Sequence, residues 1–533
     1  MAWPDDPLPA IRHELHFGDR LVRCFAERPQ SLFGLLEAAV ARDPDALALV
    51  AGPVRLTYRD LTGQAERLAA GLAARGVGPG DRLALLIGNR PEFLITICAA
   101  ARLGAIAVPL GTREQAPGLR YMLENCGARL LIYDAELAAR LPEDWREDRR
   151  VAVGAAPAGQ ATFATLLDQR GAPPPPYRPG EEDVAIILYT SGTTGRPKGA
   201  MLTHLNIVHS VLHYETCMGL GPDDRSLLAV PATHVTGLLA VLLAMVHVGG
   251  ATVLLPSFKA RGFLEVAAAE RITHAVMVPA MYDLCLLEPD FRAFDLSAWR
   301  IGAYGGAPMP EATIEKLAEV LPRLQLMNAY GATETTSPAT LMPFGDTARH
   351  PDSVGREVPC AEVRIMDEAG REVAPGAAGE VWIKGPMVVP GYFANDAAAQ
   401  GAFAAGFWRS GDVGAIDQAG YLRVFDRLKD MINRAGYKVF SAEVENVLAH
   451  HPQIVEAAVV ARPDPVLGEK VHAFVRARGE RLDQEAVRSF CREHLADYKV
   501  PEFLTIGTEP LPRNANGKLQ KDVLRRRLAE MAP

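Results

Sequence analysis

Residues 189–199 read Tyr189-Thr190-Ser191-Gly192-Thr193-Thr194-Gly195-Arg196-Pro197-Lys198-Gly199, a loop of small hydroxyl side chains and glycines. The apolar run Val184 to Leu188 before it predicts a buried strand, and the stretch Thr203 to Met218 after it predicts a helix that begins at Thr203. Glycines let backbone N–H groups approach an anion closely, the hydroxyls add short donors, and Lys198 adds a mobile positive charge. The loop is therefore predicted to hold a polyphosphate.

The spacing of this loop differs from that of the nucleoside-triphosphatase loop, which needs Gly, four residues, Gly, Lys and then Ser or Thr. Here only two residues separate Gly192 from Gly195, and Pro197 interrupts the loop before Lys198. Standard P-loop chemistry is therefore disfavoured. By composition alone, a loop rich in glycine and threonine is equally well explained as a surface turn.

Length and composition indicate a globular protein of several domains. A chain of 533 residues is too long for one compact core, which predicts two to four domains. Hydrophobic residues make up 49% and charged residues 23%, so large buried cores are expected. The net charge of −8 argues against a nucleic-acid partner.

The cysteines, the N-terminus and the apolar segments indicate the cellular compartment in which the protein is expected to act. Seven dispersed cysteines without a Cys-x-x-Cys pair indicate reduced thiols, with neither a disulfide framework nor a zinc site. The acidic, proline-broken N-terminus is no secretory signal, so a cytoplasmic location is expected. The uncharged run Gly237 to Leu255 is interrupted by Gly249 and Gly250. It predicts a buried helix, a turn and a strand rather than a membrane span.

The order of helical and strand patterns predicts an α/β fold. From Ser31 to about Gly180, strands and helices alternate at the spacing of a parallel sheet with crossover helices. From Asp430 onward the segments are shorter and predict a small α+β unit, with Ser441 capping a helix over residues 442–449. The predicted domains are residues 1–428, the large α/β part, and residues 429–533.

Several strings make a family resemblance specific. The loop at 189–199 resembles the phosphate loop of the adenylate-forming enzymes, namely acyl-CoA synthetases, peptide-synthetase adenylation domains and beetle luciferases. Further matching strings lie at residues 302–308, 328–334, 407–414, 425–430 and 511–521. The resemblance covers Ser31 to Leu528. It implies a large N-terminal adenylation core followed by a small mobile C-terminal domain that carries a catalytic lysine.

The resemblance implies a site for ATP and Mg²⁺. Tyr330 offers a ring face for stacking the adenine, while Glu334 and Thr190 lie on the magnesium and phosphate side. A carboxylate at Asp412 can accept from both ribose hydroxyls. The implied nucleotide-binding residues are Thr190, Ser191, Gly192, Thr193, Thr194, Gly195, Lys198, Gly306, Ala307, Pro308, Asn328, Ala329, Tyr330, Gly331, Ala332, Thr333, Asp412 and Arg427. Taken singly, a Tyr-Gly or Gly-Asp pair is usually a plain turn.

The acid site is implied by a second group of residues. A lone histidine in an apolar segment is usually a core side chain, but the resemblance implies that His234 borders and gates the acyl pocket. The other implied lining residues are Val235, Val278, Tyr304, Gly305 and Ala332. Peptide-synthetase domains hold the substrate ammonium with an acidic residue near this position, and residues 226–258 contain no Asp or Glu. The acid is therefore expected to be apolar and to lack an α-ammonium group.

The resemblance assigns the moving parts to the end of the chain. Lys518, otherwise a solvated charge near the C-terminus, matches the catalytic lysine, and Lys429 falls at the hinge position. The loop that approaches the acceptor corresponds to residues 433–438, with Asn433, Gly436 and Lys438 as its implied contacts. Catalytic roles are thus expected for Lys518, Glu334 and His234.

The expected reaction begins with attack of a carboxylate on the α-phosphorus of ATP, giving an acyl-adenylate and pyrophosphate. Coenzyme A is the expected acyl acceptor. The alternative is an amino acid amine, as in the related coronafacate ligase. Ala435 stands in place of a frequent glycine and Ser441 in place of a frequent proline, and both lie where an acceptor would pass.

Other functional classes fit the sequence less well. A non-catalytic nucleotide-binding regulator would lack Glu334, Asp412 or Lys518, and all three are present. No Gly-x-Ser-x-Gly elbow points to a serine hydrolase. A luciferase-like oxygenase shares every adenylation residue and would be revealed by oxygen uptake. No fused carrier domain is expected, because the only serine beyond Ser441 is Ser489, within a helical pattern.

Overall fold

The computed structural model describes residues 3, 8–156, 159–168, 171, 173–190, 196–479, 482–513 and 519–531. The chain divides into two compact units. Unit 1 comprises Met1–Arg364, Trp382–Arg409 and Ala419–Leu422, and unit 2 comprises Ile365–Val381, Ser410–Gln418 and Arg423–Pro533. The boundary predicted between residues 428 and 429 separates the core from the part that is expected to move during the reaction. This boundary stays a prediction.

Twenty-eight strands are formed within the described residues. They are β1 (Ile11–His16), β2 (Arg20–Phe25), β3 (Leu47–Ala51), β4 (Val54–Thr57), β5 (Arg82–Leu86), β6 (Ile106–Pro109), β7 (Leu130–Asp134), β8 (Arg150–Val153), β9 (Ala161–Thr162), β10 (Val184–Thr190), β11 (Lys198–Thr203), β12 (Arg225–Leu228), β13 (Ala251–Leu254), β14 (His274–Met277), β15 (Ile301–Tyr304), β16 (Gln325–Tyr330), β17 (Thr340–Leu341), β18 (Arg356–Glu357), β19 (Glu362–Met366), β20 (Gly379–Lys384), β21 (Phe403–Ala404), β22 (Phe407–Ile416), β23 (Leu422–Arg427), β24 (Ile432–Arg434), β25 (Tyr437–Val439), β26 (Ile454–Asp464), β27 (Gly468–Ala477) and β28 (Phe503–Gly507).

The same residues form fourteen α-helices. They are α1 (Leu32–Arg42), α2 (Tyr58–Ala74), α3 (Pro91–Leu103), α4 (Ala116–Asn125), α5 (Phe163–Leu167), α6 (His204–Met218), α7 (Ala244–Val248), α8 (Ala260–Ala269), α9 (Pro279–Leu286), α10 (Glu311–Val320), α11 (Asp396–Ala402), α12 (Ser441–Ala449), α13 (Gln484–His494) and α14 (Lys521–Met531).

Unit 1 is built on two large sheets. The first has seven strands in the order β11-β10-β6-β5-β7-β8-β9, and the second has nine in the order β18-β17-β16-β15-β14-β12-β13-β3-β4. Strands β5 to β8 pair in parallel, as do β12 to β16. Parallel strands need crossover connections, and helices of this unit supply them. The predicted α/β class is confirmed.

Helix α6 begins where the sequence predicts. The Thr203 hydroxyl accepts the Asn206 N–H and the Asn206 side chain accepts the Thr203 N–H, which closes a capping box. Gly219 ends the helix in a left-handed conformation with φ of 54°. Almost every side chain of α6 is buried, so the helix is an internal support for the hairpin of β10 and β11 that precedes it.

An aromatic cluster supports the central strands of the nine-stranded sheet. The Trp299 ring stacks on Tyr282 at 6.0 Å and meets Phe263 at 5.4 Å. The Tyr282 hydroxyl donates to the Ala303 carbonyl at 2.9 Å, which ties the cluster to β15. Truncating such a buried ring costs about 3–5 kcal/mol. The cluster therefore fixes β15, the strand that ends at the predicted pocket residue Tyr304.

The apolar run at residues 237–255 folds inside unit 1. It forms most of a π-helical segment, Thr236–Leu243, then α7, a left-handed turn at Gly249 and β13. The predicted order of helix, turn and strand is thus found, but the π-helical form was not anticipated. Within the described residues, no helix has the length and apolarity needed to cross a bilayer.

Unit 2 contains a small sheet with strand order β25-β24-β27-β26, in which β28 also pairs with β27. Its core includes Ile432, Val459, Val471 and Val487, all at 0% exposure. The long hairpin of β26 and β27 is antiparallel, whereas β28 runs parallel to β27. This is the α+β architecture predicted for the end of the chain.

One prediction for unit 2 was wrong. Ser441 does not cap α12; it is the first residue of the helix, and its hydroxyl makes no capping bond. The carboxylate of Asp426 accepts the Ser441 N–H instead, and the Ser441 hydroxyl accepts from Lys521 at 2.6 Å. A carboxylate 15 residues away in sequence thus accepts a backbone N–H at the start of α12, in place of the cap expected from the serine.

All seven cysteines are buried free thiols. Burial raises the pKa of Cys98 and of Cys285 to about 12, so these thiols stay protonated and unreactive. The prediction that the cysteines form no disulfide framework is confirmed. Free thiols of this kind persist in reducing conditions.

Candidate active site

The site predicted around residues 304–308 and 328–334 forms where neighbouring parallel strands end. Met277 of β14 pairs with Tyr304 of β15, and Tyr304 pairs with Asn328 of β16. Because the strands are parallel, the segments that follow them leave the sheet at one edge. This places Val278, Gly305 and the segment after Asn328 side by side. Ligands of open α/β sheets bind at such carboxyl ends.

Close backbone packing explains why glycines follow these strands. A Cβ atom on Gly305 would lie 2.4 Å from the carbonyl oxygen of Ala329, so only glycine allows β15 and β16 to end together. Gly306 has a φ of +79° and, with Ala307 and Pro308, is exposed. The result is a backbone ledge that a flat ring can approach.

Two side chains at this edge are buried and act as walls. Tyr304 is 1% exposed and Asn328 is 6% exposed. Burial raises the pKa of Tyr304 to about 12, a shift opposed by the hydrogen bond with Asn328. The phenol is therefore protonated at neutral pH and is not a base. Tyr330, which ends β16, is half-buried.

Glu334 belongs to a network that the sequence did not reveal. The residue is 9% exposed, and its Oε1 accepts a hydrogen bond from the Tyr392 hydroxyl at 2.8 Å. Burial and the nearby Glu334 charge raise the pKa of Tyr392, which therefore remains a donor. The Lys198 ammonium lies 5.1 Å from the centre of the Tyr392 ring. Tyr392 thus connects the lysine of the phosphate loop to the carboxylate predicted to hold magnesium.

Tyr392 is held in place by backbone pairing with β11. The N–H of Phe393 donates to the Gly199 carbonyl at 2.7 Å, and that of Met201 to the Gly391 carbonyl at 3.1 Å. These bonds fix the segment 391–393 beside the strand that follows the phosphate loop. A tyrosine directly after Pro390-Gly391 was the available sequence signal, but a Gly-Tyr pair alone has no specific meaning.

The two strands that flank the phosphate loop in sequence, β10 and β11, pair as an antiparallel hairpin. Thr190 and Lys198 pair across the hairpin, and the Thr190 hydroxyl contacts the Lys198 carbonyl at 3.5 Å. Thr190 and Lys198 are both half-buried. Ser191, Gly192, Thr193, Thr194 and Gly195 lie outside the described residues, so their predicted role stays a prediction.

His234 lies in a tight turn at the start of the π-helical segment. Its N–H donates to the Pro231 carbonyl at 3.2 Å, and its carbonyl accepts from Leu238 at 2.9 Å. A Cβ atom on Gly237 would lie 2.3 Å from the Pro231 oxygen, so the turn requires glycine. π-helical turns occur frequently at functional sites. His234 and Val235 are both half-buried.

Val278 is 41% exposed although it is apolar. It precedes α9, and its Cγ1 atom would be 3.9 Å from a Cβ atom on Gly306. An exposed valine beside the backbone ledge is consistent with contact to an apolar ligand. Ala332, at the start of the turn that carries Glu334, donates its N–H to Thr335 at 2.9 Å.

The two predicted ribose residues meet within unit 2. Arg427 Nε lies 2.8 Å from Asp412 Oδ1, and a second guanidinium nitrogen donates to the Ser410 carbonyl at 3.0 Å. The Asp412 side chain is 7% exposed and that of Arg427 is 51% exposed. The arginine therefore orients the buried carboxylate while remaining partly accessible itself. The sequence predicted both residues but not their ion pair.

The predicted hinge and acceptor loop also lie in unit 2. Lys429 forms a 3.4 Å ion pair with Asp522. The Asn433 side chain accepts the Gly436 N–H at 3.1 Å, and Lys438 approaches Glu368 at 3.7 Å. Ala435 adopts a φ of 50° and Gly436 a φ of 89°. Ala435 thus occupies the left-handed conformation that favours glycine, at the position where the family resemblance implies one.

Lys518, the predicted catalytic lysine, lies outside the described residues. The residues on either side of its segment, Arg513 and Leu519, form an antiparallel bridge. The Arg513 guanidinium pairs with Glu456 at 2.7 Å. The role of Lys518 stays a prediction.

The described residues fit a polyphosphate with a hard divalent cation. Mg²⁺ prefers oxygen ligands, and only Oε1 of Glu334 is hydrogen bonded to another described side chain. The second carboxylate oxygen and the Thr190 hydroxyl are oxygen donors of the required kind. Lys198 supplies positive charge on the same side. The donor set therefore matches the cofactors that the sequence predicts.

Comparison with known families covers most of the chain. The family model described as AMP-binding enzyme matches residues 36–393, and that of the AMP-binding enzyme C-terminal domain matches residues 443–518. A feruloyl-CoA synthase from Amycolatopsis sp is 37% identical over 486 residues, spanning 91% of this chain and 96% of that protein. The long-chain-fatty-acid–CoA ligase FadD13 of Mycobacterium tuberculosis is 34% identical over 90% of this chain and 94% of its own length.

Solved structures agree with the sequence relatives. The o-succinylbenzoate CoA synthetase of Bacillus subtilis, in complex with its acyl-adenylate intermediate, superposes with a TM-score of 0.83 at 28% identity. The match covers 94% of this chain and 98% of that one. The same enzyme with ATP and a magnesium ion gives a TM-score of 0.81 at 29% identity, over 92% and 99% of the two chains. This chain therefore belongs to the AMP-binding, adenylate-forming enzyme family.

Proposed function

We propose that this protein is an AMP-forming acid–thiol ligase. It joins a carboxylic acid to ATP, releases pyrophosphate, and passes the acyl group of the resulting adenylate to coenzyme A. The observation that carries this proposal is the network of Lys198, Tyr392 and Glu334 beside the phosphate-loop hairpin. This network supports an activity that needs a positively charged side chain, a buried carboxylate and an open backbone ledge in one place.

The adenylation step depends on charge and position. A carboxylate is a poor electrophile, and its attack on the α-phosphorus of ATP requires neutralisation of the phosphate charge and alignment of the two reactants. No side-chain nucleophile is needed. In the proposal Lys198 neutralises phosphate charge from the hairpin, and Lys518 does so from the small domain.

Glu334 and Thr190 would hold Mg²⁺. When bound there, the ion supplies further positive charge to the phosphates. The Tyr392 hydroxyl fixes the orientation of the Glu334 carboxylate through its 2.8 Å hydrogen bond. Tyr330 and the ledge at Gly306 are proposed to hold the adenine, and Asp412 with Arg427 the ribose.

The acid is proposed to be apolar and to lack an α-ammonium group. This rests on the absence of Asp and Glu from residues 226–258 and on the exposed Val278 at the ledge. The wall residues Tyr304 and Gly305 add no charge, and the buried phenol stays protonated. His234, at the entrance of the π-helical segment, is proposed to border and gate this pocket.

The acceptor is proposed to be free coenzyme A. Ser489 lies in α13, a regular helix, so it is unsuited to carry a prosthetic arm. In the second step the part after residue 428 is proposed to rotate, so that the loop at Asn433, Gly436 and Lys438 replaces Lys518. Buried free thiols support action in a reducing compartment such as the cytoplasm.

A product assay tests the proposal. Purified protein is incubated with ATP, Mg²⁺ and a panel of aromatic and aliphatic acids, with coenzyme A and an amino-acid mixture offered separately. Mass spectrometry is expected to find acyl-CoA and AMP, formed only when coenzyme A is present. Amides formed without coenzyme A would replace the thiol acceptor with an amine. Absence of pyrophosphate release with every acid would contradict adenylation itself.

A further inference from the structure

A second charged site lies at the opposite edge of the seven-stranded sheet. Strands β5, β7 and β8 are parallel to β6, and β6 is parallel to β10. Thr190 ends β10, so the phosphate-loop hairpin projects from the carboxyl edge. Arg82 is the first residue of β5, and Arg149 directly precedes β8, so these two arginines lie at the amino edge.

Five arginines line a cavity of about 540 Å³ at this amino edge. We call it the arginine cleft, and its arginines are Arg75, Arg82, Arg129, Arg146 and Arg149. Two aspartates, Asp81 and Asp148, also line it, which leaves an excess of three positive charges. This excess contrasts with the net charge of −8 for the whole chain. A local reversal of charge in a cavity concentrates anions.

Two of the arginines, Arg75 and Arg82, are held by backbone carbonyls. Arg82 donates to the carbonyls of Cys126 at 2.6 Å, Gly80 at 2.8 Å and Gly127 at 3.2 Å. Arg75 donates to the backbone carbonyl of Asp148 at 2.7 Å. Arg82 is thus held at the cleft by three backbone carbonyls and Arg75 by one. Pre-positioned donors of this kind lose little entropy when an anion binds.

The other three arginines, Arg129, Arg146 and Arg149, are exposed. Arg129 makes a long 3.5 Å contact with Asp81, and its side chain is 48% exposed. It lies against Gly76, where a Cβ atom would come within 2.6 Å of the guanidinium. Arg146 forms a two-pronged pair with Asp148 at 2.9 and 2.6 Å, and this pair lowers the pKa of Asp148.

We propose that the arginine cleft binds a compact polyphosphate anion. Guanidinium forks match phosphate oxygens in pairs, and several forks around one cavity suit a ligand with several phosphate groups. The described lining includes no aromatic ring, so a nucleobase would have only guanidinium planes to stack on, and those are the groups that pair with phosphate oxygens. A small polyphosphate therefore fits better than a nucleotide. This site does not depend on the proposed ligase activity.

Arginine footprinting tests the proposal on the full chain. Phenylglyoxal modifies accessible guanidiniums, and mass spectrometry measures its rate at each arginine with and without inorganic tripolyphosphate. Sodium chloride at equal ionic strength controls for screening. Tripolyphosphate is expected to slow modification of Arg129, Arg146 and Arg149 severalfold. Arg371, an exposed arginine paired to Asp367 at 3.0 Å, is the matched control and should be unaffected.

A double variant checks that the protection arises in the cleft. Arg129→Gln with Arg149→Gln removes two charges while leaving the structural bonds of Arg75 and Arg82. The tripolyphosphate concentration that half-protects Arg146 should then rise by about tenfold or more. The Arg349→Gln variant, which changes an exposed arginine elsewhere, should retain full protection. Equal protection at Arg371, or equal protection by sodium chloride, would overturn the proposal without bearing on adenylation.

Discussion

Tyr392 shows how one side chain can organise a charged site. Its hydroxyl donates to Glu334, and its ring faces the ammonium of Lys198. A phenylalanine at this position would keep the ring contact with Lys198 and lose the hydrogen bond to Glu334. Tyr392 is therefore a positioning residue whose two contacts can be tested independently.

We expect Tyr392→Phe to raise the Mg²⁺ concentration needed for half-maximal adenylation by about tenfold, because a hydrogen bond to a charged group contributes about 1.5–3 kcal/mol. ATP–pyrophosphate exchange measured across a magnesium series checks this. Tyr421→Phe is the matched control, since the Tyr421 hydroxyl donates to Asp346 at 2.6 Å in the same unit. Equal effects of the two variants would contradict the positioning role.

Lys518 offers a second test among single residues. Lys518→Ala should slow adenylation by about a hundredfold or more, as loss of one charge-stabilising donor does. Transfer from pre-formed acyl-adenylate should be spared. Lys521→Ala is the control, because Lys521 is engaged by Glu445 at 2.7 Å and by Ser441. Lys521→Ala should lower stability and should slow adenylation and acyl transfer equally. If Lys518→Ala slowed both steps equally, the assignment of Lys518 to adenylation would be contradicted.

At the scale of secondary-structure elements, the π-helical segment Thr236–Leu243 depends on one glycine. A methyl group on Gly237 would collide with the Pro231 carbonyl, so the turn that carries His234 would have to open. Gly262, in α8, has open space around its Cα atom and is not left-handed. The two glycines thus have opposite consequences when replaced by alanine.

We expect Gly237→Ala to lower the free energy of unfolding by about 1–3 kcal/mol, the usual cost of overpacking, and to raise KM for the acid. Gly262→Ala should instead raise the free energy of unfolding by up to about 1 kcal/mol, because alanine is the better helix former. Urea denaturation of both variants measures the difference. A Gly237→Ala protein as stable as the parent would show that the turn can rearrange.

Helix α6 carries three buried histidines, His204, His209 and His213, and the rings of the first two accept backbone N–H groups from outside the helix. Burial lowers the pKa of His204 to about 4 and that of His209 to about 3. The neutral ring of His204 accepts the Leu32 N–H at 3.0 Å, and that of His209 accepts the Phe25 N–H at 3.3 Å. Protonation would abolish both acceptors, so α6 links the folding of unit 1 to pH.

The sign of this linkage is defined by the lowered pKa values. In the unfolded chain His204 and His209 bind protons near pH 6.5, whereas in the folded chain they do so only at pH 4 or below. Protons therefore favour the unfolded state, and the free energy of unfolding falls as the pH drops below 6.5. Between pH 7.5 and 5.5 each histidine should remove about 1.4 kcal/mol. Urea denaturation at the two pH values checks this. Unchanged stability would mean that the histidines are solvated or paired in the folded state.

At the scale of the whole molecule, the proposed reaction requires the end of the chain to exchange Lys518 for the acceptor loop. The resemblance places the hinge at Lys429, which forms an ion pair with Asp522 within unit 2. A hinge works through rotation of backbone dihedrals rather than through its side chain. Backbone freedom and the ion pair can therefore be removed separately.

Lys429→Pro should impair thioester formation while leaving adenylation intact, because proline fixes φ at the hinge. Lys429→Ala removes the ion pair with Asp522 but keeps the backbone free, and it should retain coupled turnover. Pyrophosphate release and acyl-CoA formation are measured for both variants. Equal turnover by the two proteins would count against rotation at this residue.

Much of the fold was predictable because its signals are local. The α/β alternation and the capping of α6 by Thr203 both follow from short patterns in the sequence. The predicted cap at Ser441 failed because Asp426, which precedes it in another segment, supplies the acceptor. A tertiary hydrogen bond thus replaced a local one.

The sequence by itself determined which residues are brought to the carboxyl ends of β15 and β16 and which carry charge, because strand patterns and glycine spacing are local properties. Only the tertiary structure decided that Tyr392 joins Lys198 to Glu334, that Asp412 is paired by Arg427, and that five arginines surround one cavity. These partners are distant in sequence. Their hydrogen bonds and charge interactions depend on how the sheets and loops pack, which no short stretch of the chain encodes.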